Sequence, residues 1–348
     1  MKHRFGGKSV VISLVILFYL TSLVAASTDI SGIIAVDATW TVAMSPVIVT
    51  DDVVVSNTAT LTIDPGVEVR FDSGTELQIE GQLIARGESD NLITFTSNSD
   101  DPAPGDWDYI YLTASSVDAT YDVDGAYTGG SVLEYCVIEY AGKAEEYAGS
   151  VGIGALWLYQ ASPYVNNCTI RENDRDGIYC EGVSAETIKI TNNTVVKNRI
   201  GIYCLTRIGT ISGNIVSDNR ENGLIAGSPA GPTMEITGNI IVNNLASAGA
   251  GLTFGNSIVT RNVLSGNTSV THSAALLSAG SATLSTNAVA NNLAGREPSA
   301  VNLKDGHDSI FSLNTVTGNQ LLAVEFPPDR ALSVDGTHEI TGNTFANG

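Results

Sequence analysis

The stretch ITNNTVVKN (190–198) is followed by ISGNIVSDN (211–219), ITGNIIVNN (236–244) and VTRNVLSGN (259–267). The same pattern continues in LSTNAVANN (284–292), FSLNTVTGN (311–319) and ITGNT (340–344). It is preceded by two cysteine versions, LEYCVIEYA (133–141) and VNNCTIREN (165–173). Overlaid, the central position is Cys136, Cys168, Asn193, Asn214, Asn239, Asn262, Asn287, Asn314 and Asn343. Three residues before it stands Leu, Val, Ile or Phe, and two residues after it stands Ile, Val, Leu or Phe. A second Asn comes five residues after it in most copies, from Asn173 to Asn319. Successive centres lie 21 to 32 residues apart. A repeat of that length with strand-like apolar alternation predicts a solenoid of stacked rungs.

One such rung cannot bury its own apolar side, so the core exists only as a stack. Stacked strands lie ~4.8 Å apart, and aligned residues then form columns along the axis. Ile, Val and Leu columns are expected to fill the interior. An Asn column explains itself, because each amide can donate to one neighbour and accept from the other. Asn also tolerates the left-handed backbone of a tight turn, so the ladder Asn is expected to be that turn residue. Gly177, Gly201, Gly223 and Gly251 precede the next strand and are expected to serve another turn. A leucine-rich repeat lacks support, since its leucine spacing and helical half are missing. Helical repeats fail because no window keeps a 3.6-residue period.

Upstream, six short strands read as Val53–Val55, Leu61–Ile63, Val67–Phe71, Leu77–Ile79, Leu83–Ala85 and Ile93–Phe95. Each strand and the third one after it are separated by rung-like distances, so this part is also three-sided. Asp64-Pro65-Gly66 and Glu80-Gly81 supply turns. Taken with the repeats, the chain resembles right-handed parallel β-helix repeat proteins, the pectin-lyase-like superfold of many secreted bacterial proteins. Residues 58–97 and PAPGDWDYI (102–110) resemble the N-terminal part of such proteins. The resemblance covers roughly residues 46–348. It implies an all-β, three-sided right-handed parallel β-helix of about a dozen rungs with an Asn ladder; this superfold hosts many functions, so activity must be argued from a site.

The N-terminus reads as a secretory signal over residues 1–26, with Lys2, Arg4 and Lys8 before the apolar Val10–Val24 and a cleavage site at Val24-Ala25-Ala26. Export to the extracellular medium or the cell surface follows, with no membrane span in the mature chain. Residues 27–45 are expected to be an N-terminal cap and 46–348 the β-helix. The chain stops at Asn347-Gly348 in mid-rung, which predicts a downstream domain or a docking partner at an open C-terminal edge. The net charge of −20 argues against nucleic acid and anionic membranes as partners. It suits calcium, or a neutral or cationic glycan; a strongly anionic polymer would need a bridging metal.

Cys136 and Cys168 share one column, Cys180 and Cys204 another. Stacked Cα atoms lie within disulfide range, but parallel Cβ vectors would strain a bridge. Buried thiols filling a small apolar column are the expected reading, with disulfides as the alternative.

Two features could carry function. Strand alternation turns Trp157, Tyr179 and Tyr203 outward on three consecutive rungs, with Tyr159 beside them. Such a ladder is a platform for sugar rings, or simply aromatics packing on a strand surface. An acidic insertion over residues 96–131 holds Asp100, Asp101, Asp106, Asp108, Asp122 and Asp124, a candidate calcium site or a solvated loop. A second insertion, 141–153, adds Glu145, Glu146 and Tyr147. Candidate catalytic charges are Asp174, Arg175, Asp176, Glu181, Arg199 and Glu221, which equally suit inter-rung ion pairing. Lys304-Asp305-Gly306-His307-Asp308 is similar to the Gly-His-Gly element of polygalacturonases but lacks its second Gly.

The sequence therefore predicts a secreted or cell-surface β-helix that binds an extracellular polysaccharide or cell-surface glycan, or acts as a surface scaffold. A polysaccharide lyase or glycoside hydrolase and a passive adhesin or stalk are the alternatives.

Overall fold

The computed structural model describes residues 27–143, 153–182, 187–205, 208–227, 233–247, 249–270, 275–278, 280–295, 300–303, 309–321, 332–334 and 339–346. The segment read as a secretory signal, 1–26, most of the second insertion with Glu145, Glu146 and Tyr147, and Lys304–Asp308 lie outside the described residues.

Three parallel faces run the length of the molecule. The first is a twelve-stranded sheet that starts at Ala38–Trp40 and Thr60–Ile63 and ends at Glu339–Thr341. The second stacks Glu68–Phe71, Ile93–Ser97, Cys136–Glu139, Thr169–Arg171 and Thr194–Val196 and continues to Thr344–Ala346. The third stacks Leu77–Ile79, Ile110–Leu112, Gly154–Tyr159, Asp176–Glu181 and Ile202–Cys204 and continues to Leu332–Val334. The long strand Val47–Val55 serves both of these faces. All six upstream strands read from the sequence are present. The segment expected as an N-terminal cap supplies Thr28–Ile34, which pairs with Val47–Val55, and the core residue Trp40.

Inward positions form one continuous core of Val, Ile, Leu and Phe. Two Asn ladders flank the second face. In the first, Asn214 Oδ1 accepts from the backbone N–H of Asn193 at 2.9 Å and from its Nδ2 at 3.0 Å. Asn214 Nδ2 in turn donates to Ile190 O and Asn239 Oδ1, both at 2.9 Å. The second ladder repeats this from Asn173 through Asn198 to Asn319. All but the last of each ladder, Asn319 and Asn343, are buried, and such groups are stable in a core only when their donors and acceptors are matched.

Two expectations about the turns change. The left-handed residue is the one before each ladder Asn, as at Asn192 (φ 58°), Lys197 (φ 58°) and Gly238 (φ 66°), and no ladder Asn has positive φ. The ladder Asn stays in ordinary backbone because its side chain must point into the stack. Gly177, Gly201, Gly223 and Gly251 are not left-handed either. They stack on one another: a Cβ on Gly201 would come within 2.5 Å of Gly223 O and 2.4 Å of Val216 Cγ1.

All four cysteines are buried free thiols. Cys168 Sγ lies 3.4 Å from Leu133 O, the carbonyl one rung below, where Asn193 Nδ2 bonds Val165 O at 3.1 Å. Cys136 Sγ relates to Ala85 O in the same way. The thiols thus stand in the donor position of the ladder below its first Asn.

The insertion read over 96–131 is not continuous, because Ile110–Leu112 within it is a strand of the third face. Its two remaining parts are pinned down. Trp107 stacks on Phe71 with centroids 4.0 Å apart and donates from Nε1 to Glu139 O at 2.9 Å. The hairpin of Thr120–Tyr121 and Tyr127–Gly129 lies on the first face, where Tyr127 stacks on Tyr164 and Lys189 Nζ sits 4.0 Å from the Tyr121 ring centroid.

Candidate functional site

Alternation on the third face sends Ile110, Leu112, Leu156, Leu158, Ile178, Cys180, Ile202 and Cys204 inward. The residues between them form an outward column in strict register, Tyr111–Trp157–Tyr179–Tyr203. Its rings pair. Tyr111 and Trp157 are tilted at 4.5 Å, and Tyr179 and Tyr203 are stacked at 4.9 Å. Tyr109 stands edge-on to Trp157 at 5.3 Å. The column is one in-register aromatic wall, and it is only partly open. Trp157 is 7% exposed and Tyr179 8%, packed with Tyr109 and Ile153. Tyr111 and Tyr203 are half-buried, and Tyr159 is 36% exposed. Burial, then the Glu181 charge, pushes the Tyr179 hydroxyl up to about 12.

Tyr109 and Tyr111 extend the wall by one rung beyond the sequence expectation. The Ile110–Tyr111–Leu112 alternation carries the signal, but the aspartates around it make the segment read as a loop.

Three of the charged candidates, Asp174, Asp176 and Arg199, pair from rung to rung. Arg199 Nε donates to Asp176 Oδ1 at 2.8 Å, and Arg220 Nη2 contacts Asp174 Oδ1 at 3.2 Å. Glu172 and Lys197 add a third pair at 2.8 Å. The Asp176 side chain is fully buried, and Asp176 Oδ2 has no hydrogen-bond partner. Burial raises its pKa to about 6, against the pull of Arg199 and with a further push from Glu221. Arg175 Nε and Trp157 Nε1 are also buried and unpartnered. Asp176, Arg199 and Glu221 therefore do come together electrostatically, beside Tyr179 and Tyr203. Glu181 sits half-buried at the outer end of its strand, within electrostatic reach of the same tyrosines.

The structure does not bring the six aspartates together. Asp100, Asp101 and Asp124 are exposed, and Asp122 Oδ1 closes its own hairpin by accepting from Asp124 N at 3.0 Å and Ala126 N at 2.8 Å. Asp106 Oδ2 accepts from Ser97 Oγ at 2.7 Å and Ala103 N at 3.0 Å. Asp108 instead joins Asp52, Glu76 and Lys143 near Tyr109, where burial and then the Asp52 charge raise its pKa. Among the described residues no three His, Cys, Asp or Glu side chains are arranged to hold a metal ion. The physical reason is local: Asp106 and Asp122 use their oxygens to tie down the turns that carry them.

No helix among the described residues is long and apolar enough to cross a membrane. Residues 47–209 match the family described as the right-handed beta helix region. Two solved structures of mutants of the periplasmic alginate epimerase AlgG are similar over 85% of this chain and 78% of theirs. They have TM-scores of 0.53, at 11% identity for a double mutant and 13% for a single mutant. The Dettilon tailspike protein is similar at 12% identity with a TM-score of 0.36, over 84% of this chain and 61% of that one. No curated protein sequence matches this one. At such identities the likeness concerns the fold. Two Asn ladders, three parallel faces and the match over residues 47–209 agree on the fold: the chain folds as a right-handed parallel β-helix.

Proposed function

We propose that this chain is a secreted or cell-surface β-helix that binds an extracellular polysaccharide or surface glycan along the third face. The observation that carries the reading is the aromatic wall Tyr111–Trp157–Tyr179–Tyr203, held in register on consecutive rungs of a rigid sheet. Ring stacking gives sugar C–H faces a π surface, and a rigid strand scaffold keeps the ordering cost of binding low. Because Trp157 and Tyr179 are covered, the contact surface narrows to Tyr203, Tyr159 and Tyr111, with Arg199 beside Tyr179. The similar AlgG structures belong to an alginate epimerase, so the fold serves a protein that acts on a polysaccharide.

Coverage of Trp157 and Tyr179 favours a second reading, a surface scaffold in which the wall only braces the rungs. Charge pairing speaks for a stacking role of Asp174, Asp176, Arg199 and Arg220, and buried Asp176 reaches no substrate directly. The deciding experiment is retention of the mature protein on a panel of insoluble and immobilised polysaccharides, with and without calcium, while scoring unsaturated and reducing ends. Retention without product, reduced at least tenfold in Tyr203→Ala, is the expected result. Release of product makes the protein an enzyme. Neither retention nor product leaves the scaffold.

A further inference from the structure

The outer side of the second face changes character along the solenoid. Near the N-terminus one outward column carries Arg70, Glu139 and Arg171, with the Glu139–Arg171 ion pair along it, while the other runs from Glu68, paired with Arg70, through Thr94, Val137 and Thr169. Further along, one column reads Ile215, Ile240, Val263, Ala288, Thr315 and Thr344. The other reads Ser, Val, Ser, Ala, Thr and Ala from Ser217 to Ala346. None of these positions is ionisable, on a chain of net charge −20. Ile215 and Ile240 are each 42% exposed and Val263 40%. Each edge of this face turns on a single left-handed residue, such as Gly238 on one side and Asn243 on the other, and its outward side chains here are exposed or half-buried. An extended, flat, uncharged patch of this kind marks an interaction surface.

The order of side chains selects the partner. Side-chain size falls from Ile215 and Ile240 through Val263 to Ala288. Laid against itself with rung order reversed, the face sets Ile240 over Ala288, Ile215 over Thr315 and Val263 over Val263. In the second column the same operation sets Val242 over Ala290, Ser217 over Thr317 and Ser265 over Ser265. Ile240 and Val242 meet alanines, Ser217 and Ser265 meet hydroxyls, Val263 meets its own apolar copy and Ile215 meets Thr315, a pairing of the self-complementary kind that an isologous two-fold contact uses. We infer that this face docks a second copy of the chain, about a two-fold axis lying between the faces along the Val263–Ser265 strand. Two acidic copies repel elsewhere, whereas these two columns themselves carry no charge. The five rung steps span about 24 Å. With the two columns only about 7 Å apart, the patch falls well short of the ~800 Å² per partner of a standard interface, so the pair is weak and concentration-dependent.

Sedimentation velocity of the mature chain over a concentration series, at low and high salt, tests this together with oxidative cross-linking. The expected result is a dimer that grows with concentration and with salt and is lost in Ile240→Lys at unchanged circular dichroism and melting midpoint. Val263→Cys, on the axis, cross-links its own copy, whereas Thr283→Cys on the outer side of the first face does not. A monomer at every concentration overturns the proposal, as does a dimer indifferent to Ile240→Lys or equal cross-linking by both cysteines. A monomer that binds an insoluble uncharged polymer, and loses it in Ile240→Lys, assigns the face to that polymer instead. None of these outcomes depends on the tyrosines of the third face.

Discussion

Asn239 shows what one ladder position does. Its Oδ1 accepts two hydrogen bonds from Asn214, at 3.0 Å from N and 2.9 Å from Nδ2. Its Nδ2 donates to Ile211 O and to Asn262 Oδ1, both at 2.9 Å. Asn239→Ala therefore removes four hydrogen bonds in a dry interior and orphans the Asn214 N–H, while Asn214 Nδ2 keeps Ile190 O and Asn262 Oδ1 keeps the backbone N–H of residue 239. An orphaned donor costs ~1–3 kcal/mol and each further lost bond ~0.5–1.5 kcal/mol, so a loss of about 3 kcal/mol or more is expected in chemical denaturation. Asn343→Ala, at a part-buried position where water can take over, is expected to cost well under half as much. Asp176 makes a different residue-scale prediction. Its pKa rises from 3.8 unfolded to about 6 folded, so between those values the native state holds the extra proton. Stability from this group is complete below pH ~4 and is lost as pH rises through ~6, to the extent of about 3 kcal/mol. Asp176→Asn should lack that fall. Its denaturation midpoint, relative to the parent, should therefore be higher at pH 7 than at pH 4; parallel profiles would remove Asp176 from the pH response.

At the scale of strands and turns, the sequence is legible where a side chain repeats in a column. The Ile, Val and Leu columns, both Asn ladders, the Cys pairs and the register of Trp157, Tyr179 and Tyr203 all follow from the overlay of repeats, because stacking turns sequence period directly into spatial alignment. What the overlay does not carry is backbone conformation and coverage. It puts the left-handed turn on the ladder Asn itself, one residue late, since Asn satisfies both requirements by composition. It leaves the outward aromatics exposed, since nothing local shows that Tyr109 and Ile153 fold back over Trp157. The glycines separate the two kinds of turn requirement. Gly201 needs the absence of a Cβ rather than a special φ, so Gly201→Ala should cost at least about 1–3 kcal/mol through a clash with Gly223 O and Val216. Gly238 has φ +66°, a Cβ added there would meet nothing within 4 Å, and Asn occupies the same left-handed place at 192. Gly238→Asn should change stability by less than about 0.5 kcal/mol, while Gly238→Val should be strongly unfavourable at that φ. Thermal melts of the three variants make the comparison.

For the whole molecule, stability is expected to be uneven along the axis. In a solenoid each rung touches only its neighbours, so defects stay local unless something ties distant rungs together. Such ties are concentrated toward the N-terminus. Trp107 stacks on Phe71 and bonds Glu139 O, Lys143 reaches Ser73, and Ser162 N donates to Asp118. Lys189 also clamps the hairpin through Gly125 O and Tyr121. Beyond Ile208 the described rungs are joined chiefly by strand pairing, the two Asn ladders and the interior columns, with Arg220 reaching back to Asp174. Asn287→Ala, in that later part, should then raise hydrogen exchange in its own and adjacent rungs, roughly 259–317, and leave Phe71, Trp107 and Leu156 protected. Hydrogen-exchange mass spectrometry reads this peptide by peptide. Loss of protection spread evenly from Val47 to Val316 would mean that the solenoid opens as a single cooperative body and that the N-terminal ties add nothing separable.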